Sequence, residues 1–218
     1  MDWEAHAERE EERYAEGLRR IPADPDARQK QLVRVAMAAT GAGLVRLMQG
    51  RRAEAAGWFA RSAERFRESA EHAPPASWGR PLGAVKARLL ARDREGAEAD
   101  ARWTLALGSA EADSPIGRYA ATLAHLVLGA DDAAAGLAAG LRKEPPDTFP
   151  GAVADALAAL AAHDPAGYTD AAVRVLRSFE HRDAYLEDIP VADTVIVLEE
   201  LAEARGIAAH PTSLLLPS

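Results

Sequence analysis

The residues with the most capacity for chemistry are a histidine, an arginine and an aspartate on helix faces that are otherwise apolar. His125 lies in the middle of an apolar helix, with Arg118 two turns before it, and Asp193 lies one turn into the last predicted helix. A histidine in such a place is either a general base in a pocket or a packing residue bonded to a neighbouring helix. If at least two of the three meet in an enclosed pocket, an enzyme or a small-ligand binder is indicated. Their spacing supplies no nucleophile, so no catalytic residue is predicted.

Two further polar groupings could hold a cation. His6 and Glu10 share a face of the first predicted helix, and residues 180–188 form the densest polar cluster in the chain. That cluster lacks the alternating oxygen ligands and the glycine of a calcium loop. We therefore interpret both groupings as solvated surface, and we predict neither a metal nor a cofactor.

Trp78 and Arg80 lie in a break between two predicted helical hairpins. An aromatic ring beside an arginine at the mouth of a helix can bind an acidic ligand or a peptide. We therefore count both as candidate binding residues, whereas the tryptophans within helices are expected to pack in the core.

The composition disfavours several classes of function. The 218 residues carry a net charge of −8 and no cysteine, which argues against nucleic-acid binding, disulfides, thiolate catalysis and cysteine-based zinc sites. The N-terminal residues are polar, unlike a signal segment, and no apolar run is long enough for a membrane span. We expect a cytoplasmic protein, and the excess of arginine over lysine is typical of a GC-rich prokaryotic genome.

Alanine makes up nearly a quarter of the chain and β-branched residues are sparse, a composition typical of closely packed helices. Apolar residues recur at helical spacing between capping residues, glycines and prolines. The predicted fold is all-α, with about nine to ten helices stacked as antiparallel hairpins in one domain over 1–218. It begins with a helix within 1–22 and ends with a tail, 206–218, that packs on the body. The predicted helices are 3–20, 26–49, 52–72, 80–91, 94–107, 115–128, 131–142, 150–162, 165–181 and 190–205.

One hairpin carries a recognisable pattern. Gly43 lies midway along its first helix, Gly50 at the turn, Ala55 early in the second helix and Phe59 one turn later. These residues and their spacing resemble the tetratricopeptide repeat, although the tryptophan, tyrosine and proline positions of that family hold other residues here. Three later units resemble it more loosely. The resemblance implies a stack of helical hairpins with a curved surface that binds a peptide or a protein.

The function expected on this basis is a non-catalytic module for a protein or peptide partner. The predicted contacts are inward positions of the first helices of the hairpins. A pocket around His125 and Arg118 is the alternative for a small-ligand binder or an enzyme. Self-association, as in a homodimer, is the other alternative, because Trp3 and the apolar tail 214–216 could cover a neighbouring copy. The inward positions are Thr40, Leu44, Tyr119 and Leu123.

Overall fold

A computed structural model of the chain describes residues 2–217, so the first and last residues of the predicted domain lie outside the described part. Within that part the chain forms ten α-helices and two short 3₁₀ segments, at Ser109–Glu111 and Leu186–Asp188, with no β-strand. The predicted all-α fold is confirmed. The helices are α1 Trp3–Arg19, α2 Pro25–Met48, α3 Arg52–Ala70, α4 Gly79–Leu90, α5 Arg94–Ala106, α6 Pro115–Val127, α7 Asp131–Leu141, α8 Gly151–Ala161, α9 Pro165–Glu180 and α10 Asp193–Glu203.

The helix starts follow from capping chemistry. Three helices begin with a side chain that accepts a backbone N–H from the first turn, followed by a proline whose missing N–H costs nothing there. The last helix differs from its prediction, since α10 begins three residues after Pro190. The reason is tertiary, because the backbone N–H of Ala192 donates to the carbonyl of Leu215 in the tail (2.9 Å). The three capped starts are Asp24-Pro25, Ser114-Pro115 and Asp164-Pro165.

The helices pair into four hairpins, α2–α3, α4–α5, α6–α7 and α8–α9, each joined by a turn of the same form. The middle residue of every turn has a positive φ: 75° at Gly50, 55° at Arg92, 69° at Gly129 and 50° at His163. In each turn the next residue's N–H donates to the carbonyl five residues before it, at 2.9–3.0 Å. This is the left-handed helix ending that glycine favours, so the four hairpins share one turn geometry although two of the turns contain no glycine.

Each helix packs against the next one along the chain, with α1 on α2 and the hairpins stacked in order. Small residues permit the closest approaches. A Cβ placed on Gly43 would lie 2.6 Å from the ring of Phe59, so α2 and α3 can pack at this distance only because Gly43 has no side chain. The core is rich in alanine for the same reason.

The last helix leaves this sequential order. α10 packs against the neighbouring hairpin α8–α9 and also against α4, about 100 residues earlier in the chain. Arg205, just after α10, donates to the carbonyl of Leu126 in α6 (2.7 Å) and to Asp131 at the start of α7 (2.5 Å). Together, α10 and Arg205 therefore lie across the first helices of the second, third and fourth hairpins. We call this side of the stack the inner face.

The tail lies against the body through two of its three leucines. Leu215 and Leu216 pack on the core, whereas Leu214 is 94 % exposed. Trp3, the other residue considered for self-association, also packs on the core of its own chain. Within residues 2–217, no helix combines the length and the apolar character that a membrane span requires.

Candidate ligand-binding groove

A groove of about 550 Å³ lies between α2 and α4 on the inner face. Phe66 of α3 forms its floor, and two residues of the C-terminal part, Leu186 and Asp193, close one side. We call it the α2–α4 groove. Its remaining lining residues are Lys30, Val33, Arg34, Met37 and Thr40 from α2, and Gly79, Arg80, Gly83, Lys86, Ala87 and Leu90 from α4.

The walls of the groove are mostly apolar because both helices turn small and apolar side chains towards it. Val33 and Met37 are four residues apart on α2, and Gly83 and Ala87 are four apart on α4, so each pair lies on one face of its helix. A Cβ on Gly83 would lie 2.6 Å from the ring of Phe66. The absence of a side chain there lets the ring of Phe66 lie against α4 beneath the groove.

An ion pair lies deep in the groove and connects α4 to α10. The ammonium of Lys86 is 2.7 Å from a carboxylate oxygen of Asp193, and these side chains keep 20 % and 11 % of their surface exposed. Burial is the largest single influence on the pKa of Lys86 and lowers it, but the charge and hydrogen bond of Asp193, together with Tyr119, outweigh burial and the pKa is raised. Lys86 is therefore charged and engaged at neutral pH.

A tyrosine hydroxyl lies behind this pair without a partner. The side chain of Tyr119 is 7 % exposed, and its hydroxyl oxygen makes no hydrogen bond to the residues described. Its pKa is raised, first by burial, although the positive charge of Lys86 opposes the shift. By contrast, the hydroxyl of Thr40 is satisfied, because it lies 2.7 Å from that of Ser62 and donates to the carbonyl of Ala36.

The opposite end of the groove is cationic. Arg80, in the first turn of α4, donates to the side-chain oxygen of Gln29 near the start of α2, so the two helices begin at the same end. Its Nε is buried without a hydrogen-bond partner among residues 2–217, and burial lowers its pKa. Arg34 is exposed and contacts only the amide of Gln31, at 3.4 Å. Lys30 is held by Asp26 at 2.7 Å.

Of the predicted contacts on the first helices, one lines the groove and one lies behind it. Thr40 is part of the wall, and Tyr119 lies beside Lys86 as described. Leu44 and Leu123 are core residues with 0 % exposure and offer no surface to a ligand in this structure. Both side chains face neighbouring helices instead of the groove, which periodicity within one helix does not reveal.

Arg118, His125 and Asp193 do not converge. Arg118 binds Glu144 (2.5 Å) and the carbonyl of Asp113 (2.6 Å). His125 is half-buried, and burial lowers its pKa while the nearby charge of Glu111 opposes this. Asp193 faces Lys86 in the groove instead. The pocket expected around His125 and Arg118 is therefore not formed by these three side chains.

Trp78 lies close to Arg80 in sequence but lines a different cavity. That cavity of about 390 Å³ contains Trp78, Pro81 and Leu107, and Leu107 is 47 % exposed. Gly117 of α6 packs beneath the tryptophan, since a Cβ there would lie 3.0 Å from its ring. The predicted pair of an aromatic and an arginine is thus divided between two sites.

The two polar groupings considered as cation sites, His6 with Glu10 and residues 180–188, contain carboxylates that form ion pairs with arginines. Glu10 is fully buried and binds Arg9 (2.8 Å) and Arg13 (2.7 Å) rather than His6. Glu187, in the 180–188 segment, also contacts Arg13, and its carbonyl accepts from Arg9. Among the described residues, no three potential ligands of the His, Cys, Asp and Glu types are grouped so that they could hold a metal ion.

The sequence argument missed most of the groove, above all Arg34, Met37, Gly83 and Lys86. Two of the three lysines in the chain, Lys30 and Lys86, line this one cavity, but nothing near them in the sequence indicates it. The helical spacing of Val33, Met37 and Thr40 also indicates that they share one face of α2.

Comparison with protein-family models, curated proteins and solved structures found no match to this chain.

Proposed function

We propose that this chain is a non-catalytic binding protein and that its ligand is a compact, mainly apolar molecule in the α2–α4 groove. The observation that carries the proposal is the groove itself. Its volume of about 550 Å³ falls within the range of small-molecule sites, roughly 300–1,000 Å³. Covering its apolar walls with a ligand is favourable because that surface is removed from water.

A compact ligand is favoured over an extended peptide because of what covers the rest of the inner face. α10 occupies the space along α4 and α8, and Leu186 and Asp193 close the side of the groove nearest to it. A long peptide could follow the first helices only by displacing α10, most of whose apolar side chains are buried.

Binding is favoured over catalysis because the ionisable groups deep in the groove are engaged with each other. Lys86 and Asp193 form an ion pair, so neither is free to act as a base at neutral pH. The remaining cations lie at the far end, where they can attract a ligand but have no neighbouring nucleophile in the lining.

The test uses phenylnaphthylamine, a neutral apolar dye whose fluorescence rises in apolar sites. We expect saturable binding at one site per chain, and we expect Met37→Trp, which fills the groove, to weaken it at least tenfold. Ile116→Trp is the control, since Ile116 is 44 % exposed on α6 and does not line the groove. Equal binding by both variants, or no saturable binding to the wild type, would contradict the proposal.

Docking of a peptide or protein partner is a second candidate function, and a different observation favours it. The cavity around Trp78 has exposed apolar surface at Leu107 and a rim of Pro74 and Pro75. A partner cross-linked in the native host should then be lost with Leu107→Asp and retained with Met37→Trp. The opposite pattern would place the partner at the groove.

We also propose that the hairpins are related to the tetratricopeptide family. Its support is the shared turn geometry at Gly50, Arg92, Gly129 and His163 and the contact of Phe59 with Gly43.

A further inference from the structure

We propose that the ligand of the α2–α4 groove is a single-chain amphiphile with one carboxylate, which the guanidiniums of Arg34 and Arg80 bind while the apolar chain lies along the walls. This inference rests on the proposed function and adds the chemical class and the orientation of the ligand.

The first argument is the charge of the lining. Four cationic side chains and one carboxylate line the groove, in a chain whose net charge is −8. Lys86 and Lys30 are already paired, with Asp193 and Asp26. The positive charge that remains belongs to Arg34 and Arg80, neither of which has a carboxylate at ion-pair distance among residues 2–217.

The second argument is the surroundings of Arg80. Its guanidinium lines the groove and donates to Gln29 alone among residues 2–217, so its accessible N–H groups favour a ligand that supplies an acceptor. α4 begins at the neighbouring Gly79 with no side-chain cap, so the positive end of the helix dipole adds to the same potential. A carboxylate can accept two parallel hydrogen bonds from one guanidinium.

The third argument is shape and polarity. The lining on α2 runs from Lys30 to Thr40, a length of about 15 Å at the rise of an α-helix, which suits the whole length of extended dodecanoate, head group included. Val33, Met37, Gly83 and Ala87 offer an apolar track along the same lining. Asp193 at the deep end would repel a second anionic group, so the head group lies at Arg80 and the chain points towards Lys86.

The test measures binding of dodecanoate, below its micelle concentration, by calorimetry. Methyl dodecanoate and dodecyltrimethylammonium serve as probes with the same chain and a neutral or cationic head. We expect dodecanoate to bind at least tenfold more tightly than either, and octanoate to bind more weakly than dodecanoate, because each lost methylene costs affinity.

The variant Arg34→Gln with Arg80→Gln should weaken dodecanoate binding at least tenfold and leave methyl dodecanoate within about twofold. Arg94→Gln with Arg102→Gln is the matched control, since it removes two exposed charges from α5, where both arginines pair with Glu98. Arg34→Gln alone keeps the contact of Arg80 with Gln29, so it reports on the charge even if the double variant is destabilised. It should weaken dodecanoate binding about threefold or more.

Equal affinity for dodecanoate and its methyl ester, or equal losses in the double variant and its control, would overturn the inference while leaving the groove a binding site. Binding to anionic phospholipid vesicles without binding to dodecanoate would also overturn it. Failure of the proposed function has a different signature, because phenylnaphthylamine would then show no saturable binding that Met37→Trp removes.

Discussion

Between α2 and α4 the inner face of the hairpin stack holds an open groove of about 550 Å³, whereas along α4 and α8 the same face is covered by α10. Both regions are built from first helices of hairpins that share one turn geometry. They differ in their occupant. α10 fills the covered region with apolar side chains such as Val195, Val197 and Leu198, which are fully buried. Among residues 2–217, no helix fills the groove in this way.

The difference shows what a fold of this kind leaves available for binding. The chain uses its own last helix to cover most of the inner face, so the uncovered part is small and has defined ends. The covered region is also held by charge at both ends of α10, through Asp193 with Lys86 and through Arg205 with Asp131. The open region has its unpaired cations at the end farthest from α10.

The largest expected effect comes from breaking the ion pair at the boundary between the two regions. Lys86→Met leaves the carboxylate of Asp193 almost buried without a partner. We expect the free energy of unfolding to fall by about 2–3 kcal/mol, measured by urea denaturation. Hydrogen exchange should show that the loss is greatest at the start of α10.

The matched control replaces both members of the pair. Lys86→Met with Asp193→Leu removes the uncompensated charge, so most of the lost stability should return. A double variant no more stable than Lys86→Met alone would mean that the lysine contributes through packing rather than by neutralising Asp193.

Alkaline pH should weaken the same boundary. The pKa of Lys86 is raised in the folded state, so its contribution is complete below the unfolded pKa of about 10.4 and is lost as the pH rises through the folded value. The raised pKa of Tyr119 acts in the same direction, because the folded state keeps its phenol neutral. The free energy of unfolding should therefore fall above about pH 10, and fall less steeply in the double variant. Parallel profiles would contradict this assignment.

Two glycines beneath phenylalanine rings of α3 provide a matched pair of packing tests. Gly43→Ala would force a Cβ against Phe59, which is fully buried, and should cost about 2 kcal/mol by overpacking. Gly83→Ala meets Phe66 at the same distance of 2.6 Å, but that ring can turn into the groove. We expect a cost of about 1 kcal/mol and weaker dye binding from Gly83→Ala only. If Gly43→Ala alone weakened dye binding, Phe66 would not be the floor of the groove.

The hairpin turns should show the smallest effects. Gly129→Ala places a Cβ in a left-handed conformation and should lower the free energy of unfolding by about 1 kcal/mol. His163→Gly relieves the same strain but loses the 2.7 Å contact with Asp131, so we expect a change within about 0.5 kcal/mol. Thermal unfolding of both variants checks this. A large loss from His163→Gly would show that the contact with Asp131, and not the turn, determines stability there.

Much of the fold could be predicted from the sequence because its signals are local. Asp164-Pro165 marks the start of α9 and Gly129 the turn after α6, and both act within a few residues of chain. The helix boundaries accordingly agree with the predicted ones to within a residue or two for nine of the ten helices. The start of α10 was misplaced because it depends on a hydrogen bond from Ala192 to the distant Leu215.

The groove was much less predictable. Thr40 and Arg80, both predicted as binding residues, line the groove, but each was predicted for a different surface. Lys86 gave no local signal of its role, because its partner Asp193 lies 107 residues away in the chain. Arg118 pairs with Glu144 and His125 is half-buried, and neither residue lines the groove.

The sequence alone determined the helical class, the hairpin rhythm and the helix ends, because capping, turn and periodicity preferences depend on neighbours a few positions away. The tertiary structure decided which inner surfaces remain open. That choice depended on α10 packing on α4 and α8, on Arg205 reaching α6, and on ion pairs between distant segments, which no local pattern encodes. The carboxylate of Asp193 is the clearest case, since its type and helix were visible in the sequence, whereas its partner and its cavity came only from the packing of the chain.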